Sequence, residues 1–417
     1  MVKVLIVVPS IAPLYGGTSK LAIELAEALG ESGVEADLIT TDADGKHSLD
    51  VPIENWIDQG AYRIRYFARS IRNEFKLSYS LTRWLWQHVQ DYDVVHLISL
   101  FTYPIAIAHW LCRLRGIPYV INPQGMLEPW AMEYKAWKKQ IYYNLIEKPA
   151  LQRTSTIQML SQAEADGIRS LNLQAPILIS PNGIDQREFE TPIEAEIFYQ
   201  QFESLRGKTL ILFLGRVDPK KGLDLLAPAF SQVHQQFPNT HLVIAGPDNI
   251  NFQPTAEHYF EQSGCREAVT FTGMLTGALK YAVLSASTLY VAPSYSEGFS
   301  LSVLEGMAAG LPCVITTGCN FPEAGNAQAA TIVDPDADQI ACALITLLLN
   351  QDTAQQMGDR ARHLIFDHYT WAQIAAQLIQ TYSGISHVTP CLQRTASCSD
   401  ARDQDAHGNY ASHSHLQ

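Results

Sequence analysis

Glu297 and Glu305 stand with seven residues between them, in a stretch that runs from Pro293 to Pro312. Loop 293–298 is rich in turn residues, Ser300 is placed to cap a helix, and Leu301, Leu304 and Met307 make one apolar face. A helix start after a glycine-containing loop offers unpaired N–H groups and a positive dipole end, which suits a diphosphate. Both carboxylates can then face a cleft, one nearer the sugar end of a nucleotide sugar and the other nearer its ribose. A second cluster supplies the opposite charge. Arg216, Lys220 and Lys221 follow a buried strand and open a helix. A guanidinium can fork onto phosphate oxygens, and an ammonium adds a compact point charge. Together they can neutralise a departing diphosphate without a metal. The plainer alternative is a capping acid, one exposed glutamate and solvated lysines beside a turn.

The elements that must hold these residues alternate between short apolar runs and longer amphipathic ones. Strand patterns cover 2–8, 36–40, 94–98, 119–121, 156–159 and 177–179, with helical patterns between several of them. The alternation restarts with strands at 210–214, 241–245, 269–272, 289–292 and 312–316. This predicts α/β architecture, two doubly wound parallel sheets with ligands at the carboxyl ends of their strands. The expected units are a first domain over 1–185, a linker over 186–207 and a second domain over 208–370. A last helix over 371–385 crosses back to the first domain, and 386–417 reads as a polar, disordered tail. The region 42–76 gives no regular pattern.

At 417 residues, 47% hydrophobic and 17% charged, the chain suits two globular domains buried on both sheet faces. A net charge of −13 without a basic stripe excludes a general nucleic-acid binder. Seven scattered cysteines with no CxxC pair point to a reducing compartment, and no apolar run is long enough to span a bilayer. The expectation is a cytoplasmic protein, peripheral at the inner membrane surface if it meets a membrane. Asp-x-Asp triplets at 42–44, 91–93 and 336–338 fall in connections or beside a strand, so no essential metal is expected.

Gly215-Arg216 with Lys221-Gly222, the run Asn182-Gly183-Ile184-Asp185 and the Glu297/Glu305 pair resemble the retaining glycosyltransferases of family 4 (glycosyl transferase group 1). The likeness runs from about residue 2 to 382. It implies the GT-B fold, two Rossmann-like domains facing across a cleft, and transfer of a hexose-type sugar from a nucleoside diphosphate sugar with retention of configuration. It implies no cofactor and no metal. Arg216 and Lys221 would stabilise the leaving diphosphate, Glu297 would address sugar hydroxyls, and Glu305 would bind the ribose. Gly298, Phe299 and Ser300 would give backbone contacts, and the Gly16-Gly17 loop would lie across the cleft from the phosphates, with Thr18 capping the next helix.

Many family members carry a histidine near Gln124, and glutamine can bond a sugar hydroxyl but cannot act as a base. His96, Gln124 and Asn182 are the first domain's candidate sugar or acceptor contacts, although a lone histidine in an apolar strand is more often a core residue. The acceptor is expected to be a glycan, a lipid-linked molecule or a small molecule. A nucleotide-sugar epimerase and a catalytically silent sugar-nucleotide binder are the competing readings. Trp130, Tyr134, Trp137 and Ile141 recur at helical spacing beside Lys135, Lys138 and Lys139. They form either a packed aromatic stripe with solvated lysines or a contact for an anionic membrane surface.

Overall fold

Strands of a parallel sheet covered on both faces must be apolar along their length, and Val4 through Val8 are fully buried. The computed structural model describes residues 2–127, 136–191 and 193–400. The first sheet has eight strands, in the order Ile177–Ile179, Thr156–Met159, Tyr119–Asn122, Val94–Ile98, Lys3–Val7, Glu35–Thr41, Arg63–Phe67, Trp56–Asp58. All pairs are parallel except the last. The second sheet orders six parallel strands as Val269–Gly273, Thr240–Ala245, Thr209–Leu214, Leu289–Ala292, Cys313–Thr316, Thr331–Val333. In both sheets the chain's order reverses beside the domain's first strand, Lys3–Val7 or Thr209–Leu214. Such a switch point splays neighbouring loops apart and opens a crevice. The Gly16-Gly17 and Gly215-Arg216 loops follow those two strands.

Two strands of the first sheet, Trp56–Asp58 and Arg63–Phe67, lie inside the region without a sequence pattern. Arg63–Phe67 alternates charge with apolar residues, and its arginines are held sideways rather than buried. Arg63 donates from Nε and Nη2 to the two carboxylate oxygens of Asp37 at 2.8 and 2.7 Å, and Arg65 lies 5.6 Å from the Trp84 ring centroid. The expected linker is also corrected. Helices Arg187–Glu190 and Glu196–Gln201 occupy it, and Phe189, Phe198 and Leu205 are buried in the second domain's core. Their apolar side chains are too few and too unevenly spaced to give a helical period, so only packing reveals them.

The chain crosses between domains at two adjacent points. Ile184 N donates to Tyr369 O at 2.8 Å, and Trp371 N donates back to Ile184 O at 3.1 Å. Helix Trp371–Asp400 then returns to the first domain, where Trp371, Ile374, Ala375, Leu378 and Tyr382 join the core formed by Val4, Ile6, Leu21 and Leu25. Trp371 Nε1 donates to Glu24 Oε2 at 2.7 Å. The helix continues well past Tyr382, so residues 386–400 are helical rather than the expected disordered tail. They lack an apolar stripe, but each residue added to a docked helix gains a hydrogen bond without repeating the nucleation cost. Residues 401–417 of that tail lie outside the described residues. Among the described residues no helix is long and apolar enough to cross a membrane.

The crossover leaves no room at Gly183, where a Cβ would meet the Trp371 ring at 2.6 Å and its Cα at 2.9 Å. Gly183→Ala should therefore destabilise the protein by about 1–3 kcal/mol, read as a lower midpoint in urea unfolding.

Candidate active site in the interdomain cleft

Strand Leu289–Ala292 hands the chain to the loop that carries Glu297, and helix Leu301–Ala308 follows with Ser300 as its N-cap. The Ser300 hydroxyl pairs with that of Ser302 at 3.1 Å and makes no capping bond. The first-turn N–H groups thus have no side-chain cap, which suits an anion. Glu297 is 7% exposed. Its Oε1 accepts from Lys221 Nζ and, at 2.8 Å, from Ser294 Oγ. Its backbone is pinned as well, N donating to Gly318 O at 2.8 Å and O accepting from Asn320 Nδ2 at 2.5 Å. Burial alone would raise this carboxyl's pKa, but Lys221 and Lys220, with the bonds from Lys221 and Ser294, hold it below the ordinary glutamate value.

Arg216 follows the neighbouring strand end, its side chain 44% exposed and 3.8 Å from Asp218 Oδ2. Lys221 Nζ lies beneath it, 3.6 Å from where a Cβ on Gly215 would stand. A half-exposed guanidinium and a buried ammonium therefore share one strand end. Glu305, 6% exposed, takes two cations on Oε1, Lys280 Nζ at 2.9 Å and Lys20 Nζ at 3.0 Å. Burial again opposes ionisation, and Lys280 and Lys20 overcome it to leave the pKa lowered. The result is an ionised carboxylate, an acceptor suited to hydroxyl donors.

Lys20 belongs to the opposite domain. It sits one turn into helix Gly17–Glu31 and also meets Glu24 at 3.2 Å and Glu188 at 3.1 Å. Gly16 caps that helix with a positive φ (65°), so Thr18 lies inside the first turn and is not the cap. A Cβ on Gly17 would come within 3.3 Å of Leu301 Cδ1, which sets this loop directly opposite the donor helix. A second loop closes the same gap. Gly125 and Gly298 approach so tightly that a Cβ on Gly298 would lie 3.3 Å from Gly125 Cα. Gln124, beside it, has φ 54° and a buried Nε2 without a hydrogen-bond partner.

Residues 15–188 match the family described as Glycosyltransferase Family 4, and residues 195–364 match Glycosyl transferases group 1. The chain belongs to the family 4, group 1 glycosyltransferases. An uncharacterized glycosyltransferase of Methanocaldococcus jannaschii is 25% identical over 391 residues, covering 88% of this chain and 94% of that one. A phosphatidyl-myo-inositol mannosyltransferase of Mycolicibacterium smegmatis is 25% identical over 392 residues, covering 89% and 91%. The solved structure of HepE from Anabaena in complex with UDP-glucose superposes with a TM-score of 0.73 at 17% identity, over 92% of this chain and all of that one. The fold is GT-B.

In this glycosyltransferase Arg216, Lys221, Glu297 and Ser300 gather on one side of the cleft around the helix that carries Glu305. Phe299 has only its backbone to offer a ligand, because its ring is packed between Phe321 at 5.1 Å and Tyr369 at 5.8 Å. His96 is corrected. It is fully buried, and its Nδ1 shares a 2.5 Å hydrogen bond with the Tyr382 hydroxyl of the crossing helix. Burial lowers its pKa to about 4, so it is a neutral core residue and not a sugar contact. Asn182, 3% exposed beside the crossover at Gly183, does not line an open cleft either, although its Oδ1 has no partner.

Sequence reasoning missed Lys20, Lys280 and Glu164. Lys20 stands one turn after the glycine pair, a signal present in the sequence, whereas nothing local marks Lys280. Ser161 and Glu164 have the spacing of a capping box, and Ser161 Oγ does accept from Glu164 N at 3.1 Å. The Glu164 carboxylate goes elsewhere. Buried at 1% exposure, it accepts from Gly125 N and Leu160 N, both at 2.7 Å. It thereby clamps the loop that meets Gly298. Glu164→Gln turns an amide N–H toward one of those donors. Sugar transfer should fall by roughly tenfold or more, with nucleotide affinity measured by calorimetry unchanged.

Proposed function

We propose that the protein transfers a hexose-type sugar from a nucleoside diphosphate sugar to an acceptor hydroxyl in the interdomain cleft, with retention of configuration. The observation that carries this reading is one constellation. Arg216 and the Lys221–Glu297 pair stand at adjacent strand ends, beside an uncapped helix start and a buried, ionised Glu305. In the reaction the bond from the anomeric carbon to the diphosphate oxygen breaks, and the acceptor oxygen bonds to that carbon. The acceptor proton passes to the departing phosphate oxygen, so Gln124 need not act as a base. Arg216 and Lys221 meet the charge that develops on the diphosphate. Glu297, fixed by Lys221 and Ser294, is oriented for sugar hydroxyls, and Glu305 for the ribose. UDP-glucose in the HepE complex supports a nucleotide sugar as donor. Contact between Gly125 and Gly298 excludes water, which limits hydrolysis.

No resident cofactor or metal enters this scheme. The cations that face the diphosphate are side chains, and a cytoplasmic location goes with the scattered cysteines, of which Cys112, Cys265, Cys313, Cys319 and Cys342 are free. Calorimetry with UDP and GDP, followed by a donor screen for release of nucleoside diphosphate, tests the reading. Arg216→Ala should slow transfer about 10²–10³-fold with little loss of nucleotide affinity. Glu305→Gln should instead weaken nucleotide binding by roughly 10- to 100-fold. Activity should survive EDTA. Equal, negligible effects of both substitutions, or loss to EDTA reversed by manganese, would refute the scheme. Conversion of the donor sugar without an acceptor would mark an epimerase.

A further inference from the structure

The segment that carries the sequence's aromatic and basic stripe has two unlike faces. Helix Ala136–Tyr142 passes into a π-helical turn, Tyr143–Glu147, and then into helix Lys148–Leu151. Single π turns interrupt a helix at a cost and are frequent at functional sites. The inner face is packed. Tyr143 is 2% exposed and Glu147 is fully buried, its Oε1 accepting from Phe101 N at 2.7 Å. Tyr142 lies edge-on to Phe75 at 5.8 Å. The Phe101 loop follows strand Val94–Ile98 at its carboxyl end, on the cleft side of the first sheet.

The outer face is the opposite in character. Trp137 is 68% exposed, Ile141 52% and Leu145 72%, each four residues from the next. Trp137 and Ile141, the described part of the stripe, are therefore not packed into the core as the plainer expectation had it. Trp130, Tyr134 and Lys135 of that expectation lie outside the described residues. Residues 134–146 contain Lys135, Lys138 and Lys139 and no acid, within a chain of net charge −13. Lys139 Nζ stands 4.6 Å over the Phe101 ring on the inner side, so the outer face offers an exposed indole and two aliphatic side chains. The segment's acid-free run of lysines, in an otherwise acidic protein, supplies the charge that suits an anionic bilayer.

We propose that residues 136–147 dock the protein on an anionic membrane surface through Trp137, Ile141 and Leu145, and that the acceptor is accordingly lipid-borne. The second clause rests on the transferase reading, and the docking itself does not. The packed inner face would then set the cleft side of the first domain a few side chains from the lipid headgroups. An acceptor sugar attached to a lipid could enter the cleft while its chain stays in the bilayer.

Vesicle flotation decides it, with phosphatidylcholine alone compared against phosphatidylcholine containing about one-third phosphatidylglycerol. The full chain should float with the anionic vesicles, remain behind with the neutral ones, and detach in high salt. Trp137→Ser/Ile141→Ser/Leu145→Ser and, separately, Lys135→Glu/Lys138→Glu should each lower the bound fraction roughly tenfold or more, with the melting temperature unchanged. No flotation, or equal flotation of the variants, overturns the proposal. So does a stripe-dependent dimer in sedimentation velocity without vesicle binding. UDP and GDP affinity, measured in parallel, reports on the transferase reading alone, so either can fail without the other.

Discussion

Burying a carboxylate costs several kcal/mol unless cations and hydrogen-bond donors meet it, and the second domain buries two of them, Glu297 and Glu305, in one loop and the helix that follows it. Glu297 is met by Lys221, from the end of a neighbouring strand, and by Ser294. Glu305 is met by Lys280 from another helix and by Lys20 from the other domain. Breaking one partner away leaves the other charge buried and uncompensated. Four separate stretches of chain are thus obliged to converge on one small volume. The same pairing keeps both carboxylates ionised, which a site for hydroxyl-rich ligands needs.

Closure of the two domains follows from contacts of unequal weight. Arg187 pairs with Glu27 and Glu31 at the surface, where such ion pairs contribute about 0–1 kcal/mol. The crossing helix counts for more, because it buries Trp371, Leu378 and Tyr382 against the first sheet. The chain's two passages between domains are joined at Ile184 and Thr370. The glycine pair at 125 and 298 and the contacts of Lys20 with Glu305 link the two domains away from this crossover.

The glutamate spacing, the Arg216–Lys221 cluster and most strand positions were legible because each depends on residues close in sequence. Buried parallel strands need unbroken apolar runs, and those runs are visible. Arg63–Phe67, one strand in from the edge, and the edge strand Thr331–Val333 were not legible, since both are only part-buried and carry no such run. His96 was open to two readings, core residue or ligand contact. Local sequence could not choose between them, and only the arrival of Tyr382, far along the chain, shows that the core holds it through Nδ1.

The sequence by itself determined the α/β class, the two switch-point loops and the donor-side residue types, all of which follow from local periodicity and short-range spacing. Tertiary structure alone decided which charges meet. Lys20 reaches Glu305 across 285 positions of chain, and Glu164 reaches Gly125 across 39. It also decided that Trp137 and Ile141 face outward, because a helical period fixes which residues share a face but not which face the rest of the fold covers.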